Sequence, residues 1–578
     1  MTRRGGAMHV ATTRRHYKDR VYETHLLRRS YREGGKVRNE TLANLSHLPG
    51  EVIEVIRRSL KGEELVEAGE GFEIARSLPH GHVAAVWAHA RRLGFPELLG
   101  PPGRERDLAA ALVVARVCRP ASKLATTRWW VDTTLAADLD VAGASTDEVY
   151  AAMDWLAGRQ PDIEAALARR HLHPGGLAYF DLSSSWLEGH CCPLAARGFS
   201  RDHKAGRDQI EYGLLTDDEG RPVAVEVFPG NTADPTAFVA AVETVTDRFG
   251  LDDLVLVGDR GMITTARIQA LRAHDADLGW ITALRAPAIA RLAAEDGPLQ
   301  LSLFDDTNLA EITHPDYPGE RLVACRNPAL AAERARKRNE LLAATEAELA
   351  KIAGAVTAGR LRDPAKIGQR VGRHANRYKM AKHFDLDIAD GHFTYRRKLD
   401  QIAAEAALDG IYVLRTSLPA DQLDAPGVVD AYKRLAHVEW DFRSLKTIDL
   451  DLRPIHHHLE TRVRTHVFIC MLAAYLIWHL RRAWAPLCFT DEHPPHRPDP
   501  VAPAQRSPAA QAKASRQRTT TGQPAHSLAT LLDHLATLTR DTIVFAHSGV
   551  TIDKLALPTP TQRQAFQLID APVPHTLT

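Results

Sequence analysis

Leu177-Ala-Tyr-Phe-Asp181-Leu182 is the stretch that decides the fold. Upstream of Gly175-Gly176, apolar residues recur every three or four positions; from here they come in short runs, which marks a change from helix to strand. The run reads as a buried strand ending in an acid. Gln209–Thr216 and Pro222–Phe228 read as two more strands, joined by the hairpin turn Asp217-Asp-Glu-Gly220. A helix is expected over Pro235–Phe249, then the strand Asp253-Leu-Val-Leu-Val-Gly-Asp259, again with an acid at its exit. A helix over Thr264–His274 and a strand over Leu278–Leu284 follow.

The order β-β-β-α-β-α-β, hairpins first and crossovers after, is that of a ribonuclease-H-like sheet. In such a sheet the first and fourth strands are neighbours, so Asp181 and Asp259 are expected side by side. Two adjacent carboxylates repel unless a cation lies between them, and hard oxygen ligands select Mg²⁺ or Mn²⁺ over zinc. A third acid comes from Tyr432-Lys-Arg-Leu-Ala-His-Val-Glu439-Trp-Asp-Phe-Arg443-Ser-Leu-Lys446, which has no Gly or Pro and reads as the closing helix. Tyr432, Glu439 and Lys446 are each seven apart and fall on one stripe, with Arg443 one turn beyond Glu439. A carboxylate flanked by phosphate donors suits phosphodiester chemistry, whereas a solvated face with i,i+4 charge pairs is the plainer reading of that helix alone.

The 578 residues carry a net charge of +1, so nucleic-acid binding has to come from local patches. The expected fold class is a multidomain α+β or α/β chain: a ribonuclease-H-like core interrupted by an insertion and preceded by a helical domain. Residues 1–50 form a basic hairpin or arm with a Gly34-Gly35 turn; residues 1–40 hold eleven Lys and Arg against four acids. Residues 51–174 are read as an all-helical domain, open to DNA-binding, dimerisation or scaffold roles. The core occupies 175–284 and 429–485, split by an insertion at 285–428. Within the insertion Lys366, Arg370, Arg373 and Arg377 are spaced 4, 3 and 4 apart, one helical face that is either a phosphate track or a solvated cationic face. Residues 486–525, with eight prolines from Pro486 to Pro524, are read as a linker or disordered tail, followed by a tail at 526–578. Six cysteines without a C-x-x-C pair argue for a reducing, cytoplasmic setting and against structural zinc. No signal peptide is seen at the N-terminus, and the longest apolar run, Val467–Trp478, suits a buried helix better than a membrane span.

Tyr179-Phe-Asp181-Leu-Ser-Ser-Ser, Glu226-Val-Phe-Pro-Gly-Asn-Thr-Ala-Asp-Pro, Val257-Gly-Asp259-Arg-Gly-Met-Ile and Tyr432…Glu439…Lys446 together resemble a bacterial insertion-sequence transposase. The group is the DDE class with the Tyr-Arg-Glu-Lys signature, the insertion-sequence-four-like superfamily, and the resemblance spans about residues 20 to 485. It implies Asp181, Asp259 and Glu439 as catalytic metal ligands, with two Mg²⁺ or Mn²⁺ ions, and Tyr432 and Lys446 as contacts to DNA phosphates. Arg443 and the basic face Lys366, Arg370, Arg373 and Arg377 are further DNA-binding candidates. The signature Arg falls at Leu435; Arg434 is one residue away and off the stripe, and Arg443 is on it. The implied chemistry is hydrolysis at the element's ends, freeing a 3′-OH that attacks target DNA. Its partners are double-stranded terminal inverted repeats and target DNA, with a homodimer expected on DNA, no membrane and no nucleotide cofactor. The bacterial cytoplasm, at the nucleoid when bound to DNA, is the implied location.

The alternatives are a structure-specific nuclease that cuts without joining, and a DNA-end-binding protein without chemistry. The presence of all three acids argues against the latter. His456-His-His458 is read as no transition-metal site, with a supporting role for His457 from its Arg453-Pro-x-x-His context. Ser183-Ser-Ser185 lacks a nucleophile elbow. Asp202, Glu211 and Glu226 are spare acids, one of which could be a fourth ligand; Trp129, Trp130 and Trp280 are read as core, and Arg260 and Met262 as weak DNA contacts.

Overall fold

The computed structural model describes residues 6–18, 20–63, 71–189, 191–202, 204, 206–272, 278–294, 296–546 and 548–577. Arg3, Arg4, Asp19 and His274 lie outside the described residues. Two compact units are separable: residues 1–77 with 541–554, and residues 78–540 with 555–578.

In the first unit, Met8–Tyr17, Arg20–Glu33 and Lys36–Asn44 form an antiparallel three-stranded sheet, followed by the helix Gly50–Leu60. The expected hairpin is present, with Gly34 and Gly35 both at positive φ in its turn, and a further strand precedes it. The reading of 51–174 as all-helical is corrected by the strand Phe72–Pro79. It pairs with Thr539–Phe545, which a local sequence pattern does not reveal.

The second unit is mixed α/β around an eight-stranded mixed sheet. Its strands, in chain order, are β1 (Leu177–Trp186), β2 (Gln209–Thr216), β3 (Pro222–Pro229), β4 (Val255–Val257), β5 (Gly279–Ala283), β6 (Leu309–Ile312), β7 (Arg321–Arg326) and β8 (Ile411–Thr416). The spatial order is β6-β7-β8-β5-β4-β1-β2-β3. β1, β2 and β3 form an antiparallel meander, β1, β4 and β5 run parallel, and β8, β7 and β6 extend the sheet antiparallel. β2 is buried along its whole length, as a strand covered on both faces should be. The helix Thr146–His171, whose Ser145 and Glu148 make a capping box, is tied to β3 where buried Glu164 accepts from Val225 N at 3.0 Å and pairs with Arg248 at 2.5 Å.

β6, β7 and β8 belong to the main sheet, so the block between β7 and β8 is narrower than 285–428. Its neck is the bond from Asn327 N to Gly410 O at 2.9 Å. Gly410 sits at φ +77°, where a Cβ would lie 2.4 Å from Asn327 O, so glycine is required on both counts. Between them Pro328–Thr357, the basic helix Pro364–Arg377 and the hairpin Phe384–Ala389/His392–Arg397 share their own apolar cluster. The Pro-rich stretch is also corrected: Val501 is fully buried, Pro508–Arg516 is helical, and buried Lys513 donates to Ala485 O, Cys488 O and Thr490 O. The apolar helix Glu460–Ala483 is long and apolar enough to cross a membrane, and 83% of its most apolar window is buried inside the protein.

Gly213 on β2 faces Leu182 of β1, and a Cβ there would meet the Phe180 ring at 2.3 Å. Phe180 immediately precedes Asp181, so Gly213→Ala should destabilise by about 1–3 kcal/mol through overpacking. Calorimetry should show a lowered Tm, and an unchanged Tm would mean that the ring moves freely.

Candidate active site

The parallel register pairs Tyr179 with Val257. Asp181 and Asp259 each lie two residues further on, so the two are level and line one cavity of about 480 Å³. The reading of Asp181 as a strand end is corrected: β1 continues to Trp186, paired with β2, and only Asp259 lies past the end of its strand. Asp259 Oδ1 accepts from Gly261 N (2.8 Å) and Met262 N (2.9 Å), which fixes the carboxylate at the strand exit. Burial pushes Asp181 up to about 7, and the charges of Asp259 and Glu439 push the same way.

Glu439 comes from the helix Ala425–Arg443. Asp424 caps it, its side chain accepting from Gly427 N at 2.8 Å, and a Pro lies in its first turn. Val428, Leu435, Val438 and Phe442 are buried, and the Phe442 ring meets Tyr212 of β2 edge-on at 5.6 Å. Glu439 emerges beside this apolar face, its side chain 60% exposed and 3.9 Å from Arg443. Tyr432 is half-buried on the same helix, its hydroxyl pushed up to about 12 by burial and then by Asp259. Tyr432, Asp181, Asp259 and Glu439 are therefore within electrostatic reach of one another.

Lys446 is placed differently from the expected stripe. After Arg443 the helix passes into a π turn over Ser444–Ile448, whose wider pitch carries position 446 off the seven-residue repeat. Its amine is 8% exposed as a residue and donates to Asp202 at 2.9 Å, with Arg453 on the same carboxylate oxygen. Burial lowers Lys446 and Asp202 partly restores it. Leu435, where the signature Arg would fall, is a buried core side chain; Arg434 is 4.0 Å from Asp218. Lys366, Arg370, Arg373 and Arg377 do share one exposed helix face, opposite buried Ile367, Val371 and Ala375. None of these four lines the acid cavity.

Of the spare acids, Glu226 pairs with Arg464 at 3.0 Å, whereas Glu211 lines the cavity and is held by Arg201 at 3.1 Å. Burial pushes Glu211 up to about 7. Sequence reading passes over Arg201 and Asp234, which also line the cavity and pair at 2.5 Å. Arg201 lies outside any regular element and carries no pattern to mark it; Asp234 stands at the start of a helix, in the Asn231–Pro235 motif. Ser184 Oγ accepts from Arg201 N and Ser185 bonds Tyr212, so both hydroxyls have structural partners. His457 packs against Tyr150 and His466 and is lowered to about 3 by burial. Met262, Trp130 and Trp280 are buried and Arg260 is exposed.

Residues 193–477 match the family model of the transposase DDE domain, and residues 10–70 match that of the IS1634 family transposase N-terminal domain. The chain belongs to the insertion-sequence DDE transposases. As such the transposase is a DDE-type polynucleotidyl transferase and endonuclease acting on DNA, and DDE domains work with divalent metal ions. Asp259 and Glu439 lie within the matched DDE range and Asp181 just ahead of it. No curated protein matches the chain. Among solved structures, a piggyBac transposase synaptic complex with hairpin DNA is similar over 76% of this chain and 71% of that one, at 9% identity and a TM-score of 0.35.

The donor set fits a hard divalent ion in chemistry: the carboxyl groups of Asp181, Asp259, Glu211 and Asp234 line one open cavity, and burial raises Asp181 to about 7; Glu439 does not line that cavity. Among the described residues no three His, Cys, Asp or Glu side chains form a ready-made ion cage.

The raised Asp181 carries a linkage consequence. Its ordinary value is 3.8, so as pH rises the unfolded chain ionises before the folded one, and stability falls between about pH 4 and about pH 7. Asp181→Asn in EDTA should match the parent below about pH 4 and become the more stable protein by pH 7.5. Urea midpoints against pH test this; parallel curves across that window would contradict it.

Proposed function

We propose that Asp181, Asp259 and Glu439 are the metal-holding catalytic residues of a ribonuclease-H-like core that cuts DNA at the element's ends and joins the freed 3′-OH to target DNA. The observation that carries this is the level placement of Asp181, within β1, and Asp259, just past the end of the parallel neighbour β4, on one cavity. The β3-β2-β1-β4-β5 order, with an antiparallel meander followed by parallel crossovers, supports the ribonuclease-H-like reading.

When bound, divalent ions, two Mg²⁺ or Mn²⁺, supply activation of the attacking oxygen and neutralisation of the leaving one. The chain's own residues do the rest. Asp181, kept at about 7 by its burial and its acidic neighbours, would hold a cation through its ionised carboxylate. Gly261 N and Met262 N hold Asp259 Oδ1 and leave Oδ2 for a ligand. Glu439, on the helix side, is tied only loosely to Arg443 and is free to turn inward. Tyr432 keeps its proton at neutral pH and donates to a phosphate oxygen. Arg443 and the helix face of Lys366, Arg370, Arg373 and Arg377 give cationic contacts along the duplex. Lys446 acts through Asp202, bracing the loop that carries Arg201. Two ends are joined in concert, so a dimer on DNA is the working unit, and residues 327–410 are the insertion.

Asp181→Asn, Asp259→Asn and Glu439→Gln should each abolish Mg²⁺-dependent cutting of a labelled duplex carrying the inverted repeat, while binding to it persists. Gel cleavage and mobility-shift assays read the two separately. Persistent cutting in any one of the three would remove that residue from the site.

A further inference from the structure

The three-stranded sheet at the N-terminus has two chemically different faces. Alternation along Arg20–Glu33 and its registers with Met8–Tyr17 and Lys36–Asn44 assign each paired strand residue to one of them, Leu42 lying in a bulge. One face lies under the helix Gly50–Leu60, where Arg57 Nη2 donates to Thr12 Oγ1 at 3.0 Å. All three strand acids, Glu23, Glu33 and Glu40, are on that side. They are met there by cations: Arg14 pairs with Glu23 at 2.6 Å and Arg38 with Glu33 at 3.3 Å.

The opposite face carries Arg15, Arg20, Arg28 and Arg32, and no carboxylate. Tyr17 and Tyr22 stand between these arginines, 66% and 52% exposed. Ser30, Asn39, Thr13, Thr24 and Thr41 share it with Ala11, Leu26 and the exposed Val37, and Ser30 Oγ donates to Asn39 Oδ1 at 2.7 Å across the strands. Four arginines and two exposed phenols on one face, with every strand acid on the other, match a polyanion. Arg20 and Arg32 are twelve residues apart on one strand, about 40 Å, close to the rise of twelve base pairs. A β-ribbon also fits the major groove in width.

We propose that this face docks on double-stranded DNA, with Arg15, Arg20, Arg28 and Arg32 reaching phosphates or guanine edges and the two tyrosines lying on the backbone. It rests on the transposase reading and deepens it by naming the surface and the residues that take the DNA. It assigns recognition of the element's end to a sheet that contains none of the proposed catalytic acids.

The test uses the full chain and a fluorescent duplex carrying the inverted repeat, with anisotropy followed over a salt series. The triple change Arg15→Gln, Arg20→Gln, Arg32→Gln should raise Kd more than about tenfold near physiological salt and flatten the log–log salt slope by about 2.7, about 0.9 for each phosphate left without its arginine. Arg14→Gln, Lys36→Gln, Arg38→Gln removes the same charge from the helix-side face, where Arg14 and Arg38 already pair with Glu23 and Glu33, and should shift Kd less than about twofold. Equal weakening by both triples would reduce the effect to net charge and overturn the assignment, as would no effect from the first. Binding of phosphatidylserine vesicles that disappears in the first triple, with duplex binding intact, would make the face a membrane-docking surface and also overturn it. Asp259→Asn separates this proposal from the catalytic one: it reports on cutting, and the salt slope reports on docking.

Discussion

Two carboxylates held level on neighbouring parallel strands are the constraint on which the rest of this transposase depends. Pairing of Tyr179 with Val257 leaves Asp181 and Asp259 level on one cavity, where burial and like charge both resist ionisation of Asp181. Such an arrangement is costly unless something offsets it, and in the proposed reading a divalent cation with its phosphodiester would do so. The packing around the pair serves to hold it rigid. Gly213 makes room for Phe180, the loop after β4 clamps one Asp259 oxygen, and the Glu439 helix is pinned by Val438 and Phe442 against the sheet.

A second electrostatic layer surrounds the first. Arg201 bridges Glu211 and Asp234 at the cavity wall, and the next residue, Asp202, is gripped by Lys446 and Arg453. The Arg453 guanidinium in turn stacks on Trp186 at the end of β1. This network links the end of the Glu439 helix to the strand that bears Asp181. Charged groups that would be costly singly in a half-buried setting are balanced in pairs.

The central sheet is legible in the sequence because its strands begin as short apolar runs and because the hairpin turn at Asp217–Gly220 sets β2 and β3 antiparallel; the continuation of β1 past Asp181 through Ser183–Ser185 to Trp186 is not, since its polar residues are buried only by tertiary packing. The partnership of β8 with β5 is not, since Ile411–Thr416 returns to the sheet more than a hundred residues later. The same holds for Phe72–Pro79 against Thr539–Phe545, a pairing of segments from opposite ends of the chain. Prolines from 486 onward suggest disorder, but Val501 and Lys513 are buried there and the segment is held by tertiary contacts. For the site, Asp181 and Asp259 follow from strand order, whereas the turning of Lys446 into the protein follows from a π turn that a seven-residue repeat cannot show. Arg201 shows its place only through its ion pairs with Glu211 and Asp234, residues distant in sequence.

The most direct test of the central claim is to replace Mg²⁺ by Fe²⁺ and map where radicals formed at the bound ion cut the polypeptide. The account predicts cuts beside residues 181, 259 and 439, suppressed by excess Mg²⁺ and absent in Asp259→Asn. Cuts confined to other segments, or none that Mg²⁺ suppresses, would contradict it.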